Sequence, residues 1–548
     1  MSSDRHKKAI ALAVFSAGLY LCLRVAFHTQ LQGAGYVDGG LISYDSYYHF
    51  AFARELNRTE TSLLFQNPFG TLDQKPLLFN LYSSLLALVP PLSIPTLFIF
   101  DCAVGALFIG LTSLCIILLM PSLGTIENLA LLFGGSVAFI GVFLGCVSES
   151  DAVFAAYWGL TYLLNQISTP EIVYHFFLFF GLYGLLRRKN PIVLLVTGIL
   201  TFLHPFTAMI FNAALFSAWL HRWSVTRRMV NDRAEILFYA ILSLGLSAGL
   251  FGFLLPAVSE DALYFKDVYE AACFHIDIEL YALFLICPAS FIFGSLLFGP
   301  GISRSPEDSE KLWIFSGVAL FCILLTTSYL YTDRIVQPAH WSRAYPYVLF
   351  FGISSLLQRP ERSSRSGKAW RALKLLLLSI ALADSALGLF YVRNSLFAEK
   401  RPPLFLTQDQ AQVIKVARDQ CPGRFLYLRD SSNRGTVGDV EYAVMALTPQ
   451  KGFLGHAFFS PFLRSLSDAL YPERHGLRLP QALVQKSDYL LLDRTLFARL
   501  PSKPWETLCE GKELIFVKNI KNRDPSPHQE GPPVRLFDEK ELQTKGKP

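Results

Sequence analysis

The sequence predicts a mostly α-helical, polytopic membrane protein of about eleven transmembrane helices, followed by a small C-terminal α/β domain outside the cytoplasm. Three observations predict it. The 548-residue chain is 52% hydrophobic and only 17% charged, whereas soluble globular chains carry about 25% charge. The long apolar runs fill residues 9–395, while 396–520 has the composition of a soluble domain and 521–548 is a Pro-, Lys- and Glu-rich tail expected to be disordered. Lys and Arg concentrate in alternate short loops between the runs, the charge asymmetry that orients a polytopic chain.

The net charge of +6 does not indicate nucleic acid, because the basic residues form no stripe or groove; no nucleic-acid partner is expected. Nine cysteines include no Cys-x-x-Cys pair and no Cys/His spacing suited to zinc. Most lie inside apolar runs, where Cys acts as a small hydrophobe. Cys421 and Cys509 lie in the soluble domain and are candidates for a disulfide if that domain is extracytoplasmic.

A crossing needs roughly 20 apolar residues. The candidates are 9–28, 96–120, 128–147, 171–187, 191–204, 206–220, 234–256, 279–299, 312–331, 345–358 and 374–394. The first follows a basic N-terminus and lacks a small-residue cleavage site, so it reads as a retained helix. With the N-terminus cytoplasmic, inside loops carry Lys7, Lys8, Arg188, Lys189, four Arg in 221–233 and the basic run Arg359–Arg371. The longer outside loops carry few. Basic loops flank 191–220 on both sides, so two short helices turning at His204-Pro205 fit better than one long one. Counting 75–92 as a crossing would invert everything after it, so that stretch reads as an interface helix within a long first outer loop, 29–95.

Polar residues gather in the outer loops. The first contains Ser43-Tyr44-Asp45-Ser46-Tyr47-Tyr48-His49. The second contains Glu149-Ser150-Asp151 and ends at Ser168-Thr169-Pro170-Glu171. A late one contains Arg334, His340 and Trp341-Ser342-Arg343-Ala344-Tyr345-Pro346. Ionisable groups at membrane depth are costly to strand and so are candidates for function. Each also has a plain structural reading. Asp45 suits a helix N-cap, Glu171 suits a first helical turn, and His204 before a proline suits a helix break. Arg334 and Arg343 suit interfacial anchors, and Glu149 and Asp151 suit solvated loop acids.

These motifs resemble the GT-C superfamily of integral-membrane glycosyltransferases. Tyr44-Asp45-Ser46-Tyr47-Tyr48-His49 is similar to the Asp-x-Tyr-Tyr-His of prokaryotic oligosaccharyltransferase catalytic subunits. Lys75-Pro76-Leu77-Leu78 resembles the Lys-Pro-Pro-Leu that opens the interface helix of protein mannosyltransferases and the lipid A aminoarabinose transferase. Arg343-Ala344-Tyr345-Pro346 is similar to the Arg-Tyr-x-x-Pro of the same enzymes. The resemblance covers most of 1–395 as architecture and short pieces as motif. It departs in two places: residues 396–548 hold no Trp-Trp-Asp motif, and the second loop ends on a single acid, Glu171.

The resemblance implies a sugar donor carried on a polyprenyl phosphate or diphosphate, held by the bilayer, and an acceptor glycan, lipid or protein on the outer face. Asp45 is then the candidate base. Arg343 and Arg334 would meet the leaving phosphate, with Lys75, His204, His340, Tyr48 and His49 as further substrate or phosphate contacts. Glu149, Asp151 and Glu171 are the candidate ligands for Mg or Mn, which favour carboxylates. The expected location is a bacterial-type plasma membrane, although Asn57-Arg58-Thr59 forms a glycosylation triplet. Two other classes stay open: a transporter or flippase, which would use charges at the bilayer midplane, and an assembly partner that keeps the fold without the chemistry.

Overall fold

The computed structural model describes residues 3–33, 47, 49–54, 81–89, 94–119, 125–134, 138–145, 169–225, 234–245, 306–326, most of 372–391, 406–428, 439–452, 487–497 and 505–520. The chain divides into two compact units. One comprises Met1–Ala26, Phe100–Gly252 and Phe265–Arg401; the other comprises Phe27–Ile99, Phe253–Tyr264 and Pro402–Pro548. The helices in chain order are α1 (Ser3–Gly33), α2 (49–54), α3 (Leu81–Leu86), α4 (Ile94–Leu119), α5 (Thr125–Phe133), α6 (Ala138–Phe143), α7 (Thr169–Leu186), α8 (Asn190–Leu203), α9 (Pro205–Val225), α10 (Ala234–Gly245), α11 (Pro306–Thr326), α12 (Leu378–Gly388), α13 (Gln408–Arg418), α14 (Asp439–Leu447) and α15 (Arg494–Phe497).

The protein is mostly helical with one small sheet, as the sequence predicts, but the span count needs correction. Among the described residues three helices are long and apolar enough to cross a membrane, not about eleven: His6–Ala26, Pro95–Leu119 and Thr169–Leu186. Length is one physical reason, although α9 and α11, with 21 residues each, are long enough and carry charged residues, Arg222 in α9 and Glu310 and Lys311 in α11. Apolar helices α8, α10 and α12 are shorter, and the 14 residues of α8 rise only about 21 Å against a hydrocarbon core of about 30 Å. The expected span 128–147 holds two short helices, α5 and α6. The expected spans 279–299 and 345–358 lie outside the described residues.

The helical unit is built on antiparallel neighbours. After α7 the chain reverses at Arg187–Lys189, where Arg188 takes the left-handed conformation at φ 53°. It breaks again at His204, whose extended backbone (φ −156°, ψ 98°) ends α8; Pro205, with no N–H to donate, then opens α9. The expected turn at His204-Pro205 is present, between the 14-residue α8 and a second helix of 21 residues that runs past the expected 206–220. Helices α9 and α11 run antiparallel, with Arg222 beside Glu310 at one point and Ser217 beside Gly317 further along. A Cβ at Gly317 would collide with the Ser217 side chain, so the glycine permits the close approach.

The second unit carries a five-stranded sheet of β1 (Arg424–Leu428), β2 (Lys451–Gly452), β3 (Tyr489–Asp493), β4 (Trp505–Glu510) and β5 (Leu514–Asn519), in the order β2-β1-β3-β5-β4. Strand β1 is parallel to both neighbours, and β3, β5 and β4 are successively antiparallel. The central strands read RFLYL, YLLLD and LIFVKN, near-continuous apolar runs of the kind that sheets covered on both faces require. The runs Arg424–Tyr427 and Tyr489–Leu492, strand-like by sequence, fall within β1 and β3. Helix α13 opens on a capping box: Thr407 Oγ1 accepts from the Gln410 N–H at 3.2 Å, and Gln410 Oε1 accepts from the Thr407 N–H at 3.1 Å.

Cys421 and Cys509 are free thiols. Cys421 precedes β1 and Cys509 sits on β4, with β3 and β5 between those strands. Three strand spacings are about 14 Å, beyond the Cα separation of about 7 Å that a disulfide tolerates.

Candidate functional site

Three of the sequence-predicted site residues fall within the described part of the chain. Asp45, Tyr48, Lys75, Glu149, Asp151, Arg334, His340 and Arg343 lie outside it.

His49 opens α2 and is buried. Its Nδ1 lies 2.6 Å from Ser83 Oγ, and its ring meets Tyr82 edge-on at 5.1 Å. The imidazole therefore ties α2 to α3, both in the first loop. Tyr47, two residues earlier in the same motif, is 3% exposed and belongs to the hydrophobic core of the second unit.

His204 fills the break between α8 and α9. Its backbone N–H closes α8 on the Leu200 carbonyl at 2.9 Å. Its Nδ1 accepts from the Thr207 N–H at 3.3 Å and from Thr207 Oγ1 at 2.7 Å. A ring nitrogen that accepts from a backbone N–H carries no proton, which leaves the hydrogen on Nε2. The imidazole thus caps the start of α9, and its face stacks on Tyr174 at 4.4 Å. The structural reading of a histidine before proline accounts for this geometry.

Glu171 lies in the first turn of α7, where the helix dipole suits an acid, and it is 5% exposed. The residue that opens the same helix, Thr169, donates through Oγ1 to the backbone carbonyl of Asp101 at 3.3 Å. This contact leads to a constellation that lies within the predicted spans. Arg24, near the end of the apolar part of α1, donates through Nη2 to Asp101 Oδ2 at 2.7 Å. Its Nη1 donates to Tyr20 Oη at 3.0 Å. Arg24 and Asp101 are 3% and 1% exposed. A charge buried alone would be prohibitive, and the pair neutralises both members.

The Arg24–Asp101–Thr169 cluster matters for where it stands in the chain. Arg24 precedes the long first loop in the chain, Asp101 follows it, and Thr169 follows the segment that holds Glu149 and Asp151. The cluster therefore ties α1 and α4, which flank the first loop in the chain, to the start of α7. The sequence reading passed over it, because one charge in a long apolar run barely changes the run's average. The available signal was the presence of a lone Arg and a lone Asp in adjacent runs, each needing a partner.

A second buried pair lies elsewhere in the unit. Arg222 Nε donates to Glu310 Oε1 at 2.6 Å, and Arg222 Nη2 donates to the Leu185 carbonyl at 3.0 Å. Beside it His221 Nε2 is 3.1 Å from Ser309 Oγ. Asp384, fully buried on α12, accepts from the Ile140 N–H at 2.9 Å.

For a divalent cation, Glu171 supplies one carboxylate. Among the described residues no three His, Cys, Asp or Glu side chains come together in a metal-holding group, and the other two expected ligands, Glu149 and Asp151, lie outside those residues. In comparisons with known proteins, no family model matches the chain and no curated protein matches it significantly.

Proposed function

We propose that this chain is a membrane glycosyltransferase that moves a sugar from a polyprenyl-phosphate or polyprenyl-diphosphate donor to an acceptor on the outer face of the membrane. The observation that carries the reading is the Arg24–Asp101–Thr169 cluster. It ties together α1, α4 and the start of α7, helices between which the Asp45 segment and the Glu149–Asp151 segment lie in the chain. Three helices apolar and long enough to cross a membrane supply the setting for a lipid-borne donor.

In this reading the acceptor hydroxyl attacks the anomeric carbon. Its proton passes to the Asp45 carboxylate, acting as general base. The bond between the anomeric carbon and the phosphate oxygen breaks, and the phosphate leaves with the electron pair. Arg343, with Arg334, takes up the phosphate charge, since a guanidinium presents paired donors to phosphate oxygens. His49 and His204 serve the scaffold, by the contacts described above. One carboxylate, Glu171, is too few to define a cation site, so no step runs through Mg or Mn.

A transporter would draw on the buried ion pairs. Transporter sites, however, lie near the bilayer midplane on broken helices. Arg24–Asp101 and Arg222–Glu310 lie toward helix ends, and each acid is closed by its arginine.

The test is a transfer assay in membranes with labelled polyprenyl-linked sugars, comparing wild type with Asp45→Ala. Removing a general base costs about 10²–10⁴-fold in rate, so the variant should lose at least about a hundredfold. Equal incorporation by the two proteins would remove Asp45 from the reaction. No incorporation by wild type with any polyprenyl donor would sink the transferase reading.

A further inference from the structure

The helical unit carries a second polar layer, at the end away from Arg24–Asp101. Ala9 and Leu12 of α1 pack with Leu114 and Ile117 of α4, so the start of α1 lies beside the end of α4. The last turn of α4 is tied to the end of α7, because Arg187 Nη2 donates to the Leu118 carbonyl at 2.9 Å. The end of α7 is tied in turn to α9 and α11 through Arg222, which bonds both the Leu185 carbonyl and Glu310. These contacts set one end of each of α1, α4, α7, α9 and α11 at a common level.

The separation of the two layers matches a bilayer. Seventeen residues separate Lys7 from Arg24 on α1, and seventeen separate Asp101 from Leu118 on α4. Each interval rises about 25 Å, close to the roughly 30 Å of a hydrocarbon core. With Arg24–Asp101 toward one interface, the second layer stands at the other. Trp223, in the last turn of α9, and Trp313, on α11 just past Glu310, are 61% and 44% exposed, and exposed tryptophan suits the headgroup level.

The layer is basic where it meets its surroundings. Lys7, Lys8, Arg188 and Lys189 are exposed, and Arg187 is half-buried. Among the described side chains of this end the exposed acid is Glu235, which accepts from Asn190 Nδ2. Glu127, Glu307 and Asp308 stand in the first turns of α5 and α11, where the helix dipole suits an acid. Arg188 is set apart by its backbone. It holds the left-handed conformation at φ 53°, at the position after α7 that glycine usually fills. The Lys189 N–H donates to the Gly184 carbonyl at 2.7 Å and the Arg188 N–H to the Leu185 carbonyl at 3.4 Å, the two bonds of a Schellman turn. A residue with a Cβ is strained there and glycine is not, so the turn itself gives no reason for an arginine.

We propose that Lys7, Lys8, Arg188 and Lys189 form a binding surface for the headgroups of anionic phospholipids in the leaflet that faces this end. Charge complementarity and depth name the partner: a basic layer at headgroup level meets lipid phosphates, whose oxygens accept from guanidinium and ammonium groups. Each Lys or Arg close to an anionic leaflet strengthens the association about fivefold. The surface is independent of the chemistry at the Arg24–Asp101 end, so it stands or falls apart from glycosyl transfer.

The experiment uses the full-length chain in phosphatidylcholine nanodiscs. Spin-labelled phosphatidylglycerol and spin-labelled phosphatidylcholine report the preference of the protein for the anionic lipid, and thermal melting is measured alongside. Wild type should prefer phosphatidylglycerol, and added salt should weaken the preference. Arg188→Gly should lower the preference about fivefold while its melting temperature in phosphatidylcholine stays at or above that of wild type, because glycine relieves the turn. Lys7→Gln/Lys8→Gln should lower the preference about fivefold or more. Lys415→Gln, which removes an exposed cation from α13 of the other unit, should leave it unchanged.

A wild type without preference overturns the proposal, and so do Arg188→Gly and Lys7→Gln/Lys8→Gln variants that keep the wild-type preference. An equal loss in Lys415→Gln also overturns it, since net charge alone would then set the preference. Soluble glycerol phosphate that displaces the labelled lipid as well as phosphatidylglycerol does would make this a free-phosphate site and overturn the lipid assignment. A lower melting temperature of Arg188→Gly with unchanged preference gives Arg188 to the fold and removes it from the surface. Should Arg188→Gly fail to fold, Lys7→Gln/Lys8→Gln decides: a reduced preference at wild-type melting supports the surface, and a wild-type preference overturns it.

Discussion

The helical unit and the α/β unit bury charge in different ways. In the helical unit Arg24 answers Asp101 and Arg222 answers Glu310, charge against charge across helices distant in sequence. In the α/β unit polar side chains, from the buried Gln450 to the half-buried Asp409 and Arg54 and the exposed Arg418, mostly answer the backbone. Asp409 accepts from the N–H groups of Lys512, Glu513 and Leu514; Arg54 and Arg418 donate to the end of α14; Gln450 Nε2 donates to the carbonyls of Ala417 and Cys421. The difference follows from where unpaired backbone groups exist. A helix interior satisfies its own N–H and C=O groups, so a charge buried against it must find another charge. Turns, strand ends and helix termini leave groups open. Where charges of the helical unit do meet backbone, they also do so at helix ends: Arg222 at Leu185, Arg187 at Leu118 and Asp384 at Ile140.

The comparison is most severely tested at Asp101. Replacing one member of a buried ion pair leaves the other uncompensated and costs about 3–5 kcal/mol, whereas replacing both by apolar residues of similar volume is often neutral. Asp101→Leu should therefore melt far below wild type in nanodiscs, and Arg24→Met/Asp101→Leu should recover most of the loss. A double variant as unstable as the single would mean that Arg24–Asp101 contributes specific geometry beyond charge compensation, and the contrast between the units would weaken.

A smaller loss is expected at Asp409, where the groups left open are backbone N–H donors at the β4–β5 turn. A buried donor without a partner costs about 1–3 kcal/mol, and at this turn water can replace part of the lost bonding. Asp409→Ala should lower stability within that range and speed hydrogen exchange at Lys512, Glu513 and Leu514 before the central strands. Gly511 belongs to the same arrangement, because a Cβ there would collide with the Asp409 carboxylate. Unchanged exchange at the turn would show that the carboxylate is not what holds it.

Much of this architecture was legible in the sequence, and the missing parts share one cause. The apolar runs gave the first, second and fourth spans, and Arg424–Tyr427 and Tyr489–Leu492 gave two central strands, because burial on every side forces uninterrupted apolar residues. His204-Pro205 gave the helix break, because proline cannot continue the preceding hydrogen bonding. The edge strand β4, reading WETLCE with most of its residues exposed or half-buried, has no such run and went unread. The Arg24–Asp101 pair and the docking of α2 on the C-terminal domain depend on residues 77 and 392 positions apart. Local periodicity holds no information about either. Of the candidate site, the motifs marked the first and second loops as places of interest; that Tyr47 would share a core with the C-terminal domain was not readable from its order in the chain.

The finest test of the contrast is a pH effect on the edge of the sheet. The buried thiol of Cys509 is pushed above its ordinary range first by burial and then by the negative charge of Asp409. A free thiol ionises near 8.5. Below that value folded and unfolded chains both keep the proton, and the thiol makes no difference. Above it the unfolded chain ionises first while the folded one holds its proton, so stability contributed by the neutral thiol is lost as pH rises toward the folded value. The phenol of Tyr489 is also raised by burial, but its ordinary value near 10 places its effect at higher pH. Wild type should therefore lose melting temperature relative to Cys509→Val as pH rises from about 8 to about 9.5. Asp409→Ala should reduce that slope, because the second cause of the shift is gone. Parallel wild-type and Cys509→Val curves over this range would mean that the thiol is open to solvent in the folded chain. Intact protection of β4 alongside a reduced slope in Asp409→Ala would instead locate the charge sensitivity in the Asp409 carboxylate that already holds the turn, so that one side chain both satisfies the backbone and sets the electrostatics of its neighbour.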